Sequence, residues 1–215
     1  MNRQNLRKVY IETLIEHARG NKNIVSLDTD SREATLADKF ASIYPQRSFS
    51  FGIAEQDMVS FAGGLALNGK LPVVHSFSCF LSARPNEQMY NNATEKTKII
   101  YVGSLAGVIP AGPGHSHQAV RDIATVGSIP GLIMVEPSSA EELGELMNWA
   151  FNINNLSTYI RLCSIPFKNK LKIPNGYKYE GDWKEGKIEG FGKAKYPDGS
   201  FYEGTFIDGQ HSGEG

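Results

Sequence analysis

Three short segments carry side chains suited to chemistry. Phe51-Gly52-Ile53-Ala54-Glu55-Gln56 sets a carboxylate where a strand-like run passes into a helix. His75-Ser76-Phe77-Ser78-Cys79-Phe80 follows the next apolar run and carries two aromatic rings three residues apart. Gly112-Pro113-Gly114-His115-Ser116-His117-Gln118 joins glycines, which permit close backbone approach, to two imidazoles near a helix start. A lone Glu in a first helical turn is ordinarily a solvated residue that offsets the helix dipole, and Phe77 and Phe80 taken singly read as core. Together they describe a seat for a planar nitrogen heterocycle, with aromatic faces against the ring and a carboxylate bonding a ring nitrogen. His115 and His117 have no third ligand at metal spacing, so acid/base work or substrate polarisation suits them better than zinc.

Such loops need a scaffold that brings them together. Leu6, Val9, Tyr10, Leu14 and His17 recur at helical spacing, with Gly20 as a stop. Further helices are predicted over 34–44 (closed by Pro45), 52–67, 81–94 and 117–125, and one opens at Pro137, where Ser139 and Glu142 have capping-box spacing. Short apolar runs at 24–27, 71–75, 98–102, 132–135 and 157–162 read as strands. Continuous rather than alternating apolar strands, separated by helices, predict an α/β fold: a doubly wound, mainly parallel sheet with helices on both faces. Ligands of such sheets sit beyond the carboxyl ends of the strands, which points to the loops after Leu27, Val74, Val102 and Val135.

Composition bounds the rest. The 215 residues hold 22 basic and 23 acidic side chains, a net charge of −1 that gives no footprint for nucleic acid. Two cysteines, Cys79 and Cys163, fit a reducing compartment, and the charged start has no apolar segment of a signal peptide. A cytoplasmic protein is expected. Of 22 glycines, 10 fall in the last 50 residues, which marks a second module. Residues 1–165 are expected to form the α/β domain, 166–173 a linker, and 174–215 a small all-β hairpin-repeat tail. There Tyr179/Tyr202, Glu180/Glu203, Gly181/Gly204, Gly186/Gly209, Gly190/Gly213 and Gly192/Gly215 match at a period of 23 residues, and Trp183 corresponds to Phe206. This pattern resembles the MORN repeat family, whose stacked β-hairpins imply a platform for another protein or a membrane lipid. The sequence stops inside the second repeat: either the hairpins stack on the front domain or on a partner, or the reading frame is truncated.

The front itself resembles the pyrimidine-binding domain of the transketolase family of thiamine diphosphate enzymes, from about Arg7 to Arg161. The carrying segments are LDTDS (27–31), RSFSFGIAEQDMVSFAGGLALNG (47–69), HSFSCF (75–80), GPGHSHQAVRDIA (112–124), SIPGLIMVEPSSAEE (128–142) and YIRL (159–162). The resemblance implies that Glu55 bonds N1′ of the cofactor's aminopyrimidine and, by sharing a proton there, lets the 4′-nitrogen take the proton from thiazolium C2. It implies that Phe77 and Phe80 flank the pyrimidine, that Asp30 lies near the thiazolium, and that His117, with His115 beside it, faces the substrate channel. Arg161 and Arg7 match arginines that grip a sugar phosphate, a task for guanidinium donors. Leu105, Pro113 and Ala83 depart from the family pattern and leave the sugar donors open.

Family enzymes hold the diphosphate and Mg²⁺ through Gly-Asp-Gly followed by Asn on a second domain, and no Gly-Asp-Gly occurs here. The resemblance therefore implies one subunit of a split transketolase-like enzyme, expected as a heterotetramer with a separate diphosphate-binding subunit that carries the Mg²⁺ ligands. The expected reaction is transfer of a two-carbon ketol unit between sugar or sugar phosphate substrates. The alternatives are a 2-oxoacid dehydrogenase β-type subunit, a deoxyxylulose-phosphate synthase-like enzyme, or a non-catalytic scaffold that recruits partners through its repeats.

Overall fold

The computed structural model describes residues 6–108, 113–163, 178–184, 187–196, 198–207 and 209–212. Gly112, the expected linker 166–173 and the distal repeat glycines Gly213 and Gly215 lie outside the described residues. The chain divides into two compact units, Met1–Asn169 and Lys170–Gly215.

The first unit runs α1 (Leu6–Gly20), β1 (Ile24–Asp28), α2 (Arg32–Thr35), α3 (Ala37–Ile43), β2 (Ser48–Ser50), α4 (Glu55–Leu67), β3 (Leu71–Phe77), α5 (Ser78–Ala83), α6 (Asn86–Thr94), β4 (Ile100–Ser104), α7 (Asp122–Gly127), β5 (Ile133–Val135), α8 (Ala140–Asn152) and β6 (Thr158–Leu162). Its six strands pair in parallel in the order β2-β1-β3-β4-β6-β5. Successive strand side chains face opposite sides, and both sides are apolar. Ile24, Val73, Ile100, Val102, Ile160 and Leu162 meet Tyr10, Leu14, Leu143 and Met147 of α1 and α8. Val25, Leu27, Val74, Tyr101 and Tyr159 meet Met58, Val59, Met89 and Val126 of α4, α6 and α7. Full burial of each large side chain contributes about 1.5–3 kcal/mol. The doubly wound parallel sheet expected from the apolar runs is the architecture observed.

Local details differ from the expectation. The helix expected over 34–44 is two helices broken at Leu36, which takes φ 65. The stretch over 81–94 breaks at Pro85, whose ring cannot continue a helix hydrogen-bond ladder. The helix placed from Gly52 begins at Glu55, because Gly52 turns the chain with φ 66. The helix expected over 117–125 is replaced by a 3₁₀ turn that ends at its start, His115–His117, and the short α7 that begins only at Asp122. Ser139 Oγ caps α8 by accepting from the Glu142 N–H at 3.1 Å, but Glu142 returns its carboxylate to the Ser138 N–H, one residue before the capping-box position. Strand β2 escapes the apolar pattern because its residues are Ser-Phe-Ser at the sheet edge, none of them buried.

The second unit is an antiparallel sheet of β7 (Lys178–Lys184), β8 (Lys187–Lys195), β9 (Phe201–Ile207) and β10 (Gln210–Ser212), in the order β10-β9-β8-β7. The repeat shows as repeated contacts. Tyr179 Oη donates to the Asp182 carbonyl at 3.1 Å, and Tyr202 Oη to the Thr205 carbonyl at 3.2 Å. Each tyrosine lies across a glycine two residues on: a Cβ on Gly181 or Gly204 would come within 2.6 Å of the Tyr179 hydroxyl or 2.7 Å of the Tyr202 ring. Phe206 is buried and meets both rings edge-on, at centroid distances of 5.0 and 5.2 Å.

Candidate active site

Because the strands are parallel and register Asp28 with His75, Val102 and Ile160, their carboxyl ends form one edge of the sheet. The Phe51 N–H donates to the Asp28 carbonyl at 3.0 Å, which brings the Gly52 turn and the start of α4 to that edge. Glu55, the first residue of α4, is only 3% exposed. A carboxylate that buried needs a donor, and Arg84 supplies it: Nη1 donates to Oε1 at 2.7 Å. The Arg84 guanidinium carbon also stands 3.9 Å from the Phe80 ring centroid.

Phe77 closes β3 and Phe80 lies in α5, with their centroids 6.0 Å apart. The His117 ring meets both, at 5.0 Å from Phe80 and 6.0 Å from Phe77. Its Nδ1 pairs with Ser116 Oγ at 3.0 Å. Glu55, Arg84, Phe80, His117 and Phe77 thus form one continuous cluster, four of whose members the sequence singled out. His115 is exposed on the same turn, and Asp30 is exposed in the turn after β1.

The two arginines expected at a substrate phosphate each bond within the chain. Arg161, on β6, donates through Nε and Nη2 to Asp122 at 2.6 and 3.3 Å and through Nη1 to Glu136 at 2.7 Å. Arg7 Nη1 donates to the Ala34 carbonyl at 2.7 Å. Asp122 also accepts from Ser78 Oγ at 2.7 Å, and Ser78 Oγ pairs with the Tyr159 hydroxyl at 2.8 Å. This buried network ties the start of α5 to α7 and β6, and so fixes the helix that carries Phe80. Burial, with the Glu136 carboxylate as acceptor, pushes the Cys163 thiol up to about 12.

A second polar group lies in β3. His75 is buried, with Tyr10 Oη 3.1 Å from Nδ1 and Ser26 Oγ 3.1 Å from Nε2. Desolvation, with the Arg32 charge as a lesser cause, lowers its pKa to about 3. Asp28 beneath it pairs with Arg32 at 2.8 Å, and burial raises its carboxyl pKa against that pairing.

Sequence reasoning missed Arg84 and Asp122, because nothing local marks their partners. Pro85 did mark a helix break that leaves Arg84 at the end of α5. Among the described residues no group of three or more His, Cys, Asp or Glu gathers as a metal site, and no helix is long and apolar enough to cross a membrane.

The carboxylate and aromatic rings suit a planar heterocycle with an in-plane donor, since the planar Arg84 guanidinium already makes both contacts. Comparison with known proteins adds identity. The transketolase pyrimidine binding domain model matches residues 2–164, and MORN repeats match 179–201 and 202–215. A putative transketolase C-terminal section of Methanocaldococcus jannaschii is 40% identical over 134 residues, 62% of this chain and 42% of that protein. A 1-deoxy-D-xylulose-5-phosphate synthase of Natranaerobius thermophilus is 35% identical over 147 residues, 68% of this chain and 23% of that protein. A split-gene transketolase, solved as an inactive beta4 tetramer, superposes with a TM-score of 0.67 at 31% identity, covering 77% of this chain and 53% of that one. The chain therefore spans under half the length of these two curated relatives. With its fold, its Glu55 cluster and these matches taken together, the chain belongs to the transketolase pyrimidine-binding domain family, and its tail carries MORN repeats.

Proposed function

We propose that this chain is the pyrimidine-binding subunit of a split, thiamine diphosphate-dependent transketolase-like enzyme. The observation that carries this is the buried Glu55 carboxylate at the carboxyl edge of the sheet, joined to Phe80, Phe77 and His117 in a chain of this family. When bound, thiamine diphosphate supplies an electron sink for breaking and forming a carbon–carbon bond. Glu55 holds the proton shared with the pyrimidine ring nitrogen. Phe77 and Phe80 provide the apolar faces that orient the ring and exclude water. His117, half-buried against both rings, presents a ring nitrogen to a substrate hydroxyl or carbonyl, with His115 and Asp30 at the exposed mouth. Arg161 and Arg7 are the candidates to hold a substrate phosphate, with their bonds to Asp122, Glu136 and the Ala34 carbonyl orienting the guanidinium groups.

In this reading the diphosphate and Mg²⁺ are held by a separate subunit, and the two form a cytoplasmic heterotetramer. Its support is the likeness to a transketolase C-terminal section and to a split-gene transketolase whose beta4 tetramer is inactive. The free thiols Cys79 and Cys163 suit a reducing compartment. The domain is assigned to residues 1–165, followed by a linker over 166–173, and the hairpins at 174–215 serve as a platform for a protein or lipid partner. On the tail, Phe191 and Phe201 are exposed apolar groups.

The test is to purify the chain with its co-expressed diphosphate-binding subunit and to measure cofactor binding and ketol transfer between sugar phosphates. Binding and transfer that disappear in Glu55→Gln are expected; a complex that binds no cofactor refutes the reading. The likeness to a 1-deoxy-D-xylulose-5-phosphate synthase favours a second reading, a synthase of that type. Formation of 1-deoxy-D-xylulose 5-phosphate without ketol transfer between sugars would select that chemistry.

A further inference from the structure

The Glu55 cluster contains one group to which the reaction above gives no task. Arg84 bonds Glu55 Oε1 at 2.7 Å and lies 3.9 Å from the centroid of the Phe80 ring. A guanidinium is planar, carries its N–H donors in that plane, and stacks on aromatic faces. An in-plane bond to Glu55 and a face against Phe80 are the two contacts that the pyrimidine seat offers its ligand. We propose that Arg84 is the internal occupant of that seat, so that the cofactor's aminopyrimidine binds by displacing Arg84 from Glu55 and Phe80. The proposal rests on the function assigned above.

Physical reasons run in both directions. A carboxylate at 3% exposure cannot stand unpaired without a large desolvation cost, so the free protein needs a cation there. Arg84 is suited to leave, because its side chain is 40% exposed and sits on the residue that caps α5. Its long stem can carry the charged head into water while its base stays on the surface. A ligand whose site is open only part of the time binds with an affinity reduced by that fraction. Arg84 then sets cofactor affinity by competition. A residue that merely positioned Glu55 would do the reverse, and its removal would weaken binding.

The experiment measures thiamine diphosphate binding by calorimetry to the assembled complex carrying wild-type chain, Arg84→Ala, Arg84→Lys or Glu55→Gln, with melting temperatures recorded alongside. Removing a half-exposed stack and ion pair should tighten binding about tenfold in Arg84→Ala. Guanidinium chloride at millimolar concentration should weaken that variant back toward wild type and leave wild type unchanged. Binding by Arg84→Ala that is unchanged or weaker in a folded complex overturns the exchange. If Arg84→Ala does not assemble, Arg84→Lys decides: its ammonium still pairs with Glu55 but offers no planar face, so binding a few-fold tighter supports exchange and anything else overturns it. Should wild type bind cofactor and Glu55→Gln not, the assigned function stands whatever Arg84 shows. If no variant with Glu55 intact binds cofactor, the function fails and the exchange fails with it.

Discussion

In the front unit, six parallel strands lie between two helical layers, and the side chains that fill both faces are Val, Ile, Leu and Tyr. In the tail, four antiparallel strands make a core from tyrosine rings laid across glycines, with Phe206 closing against them. The front gains stability from bulk on every strand; the tail gains it from residues that lack bulk. Reactive groups follow the same divide. The front concentrates buried carboxylates, imidazoles and guanidiniums at one sheet edge, where desolvation makes each pairing strong. The tail keeps its charged groups at the surface, as with Lys193 and Glu203, both well exposed at 2.9 Å, where an ion pair contributes little.

Four measurements would break or sharpen this contrast. The largest effect is expected at Glu55: in Glu55→Gln, ketol transfer by the assembled enzyme should fall about 10²-fold or more, while deletion of 170–215 leaves turnover essentially unchanged. Equal losses from the two changes would erase the division of labour. Next is Gly103→Ala. A Cβ there meets the Tyr159 hydroxyl and comes within 2.9 Å of Ser78 Oγ, so urea unfolding of the front should lose about 2 kcal/mol through overpacking.

The third is a pH dependence. Folding lowers the His75 pKa from 6.5 to about 3, so below the unfolded value the unfolded chain takes up a proton that the native chain refuses. Stability from this site is complete above pH 6.5 and is lost as pH falls from there toward 3, at up to about 1.4 kcal/mol per pH unit. Urea midpoints of the front between pH 7.5 and 5 should show the slope, and His75→Gln should flatten it. The smallest effect is expected for Gly204→Ala, about 1 kcal/mol in the tail's own transition, because the Tyr202 ring can swing toward solvent. An equal shift in the front's transition would show that the units do not unfold independently.

How far the sequence spoke depended on the range of the cause. Strands β1, β3, β4 and β6 were legible because each is a run buried almost throughout, and β5, a half-buried edge strand, was legible through its apolar residue types. Strand β2, Ser48-Phe49-Ser50, was not, since two serines around one exposed phenylalanine make no apolar run. The break at Pro85 had a marker in the residue type, which the helix expected over 81–94 passed over; that at Leu36 had none, for a leucine with φ 65 is held by its surroundings. At the candidate site, Glu55, Phe77, Phe80 and His117 were singled out through local motifs and resemblance, and the fold brings them into one cluster. The partners of Arg161 were hidden, as Asp122 and Glu136 reach it only when α7, β5 and β6 assemble. An arginine looks the same in sequence whether it waits for a phosphate or is already bonded.

The tyrosine-over-glycine contact also restricts how this tail can lengthen or shorten. Strand side chains alternate between faces, so a step of one residue moves a whole strand's pattern to the opposite side. Tyr179 and Tyr202 meet Phe206 from one face because both register with Ala194 of β8, and the 23-residue repeat preserves that register. Whole 23-residue units can therefore be added or lost with each ring still over its glycine. An insertion of another length would keep the rings aligned only where a turn or a bulge, like the one at Gly181–Trp183, took up the difference, so the natural unit of change in the tail is the repeat.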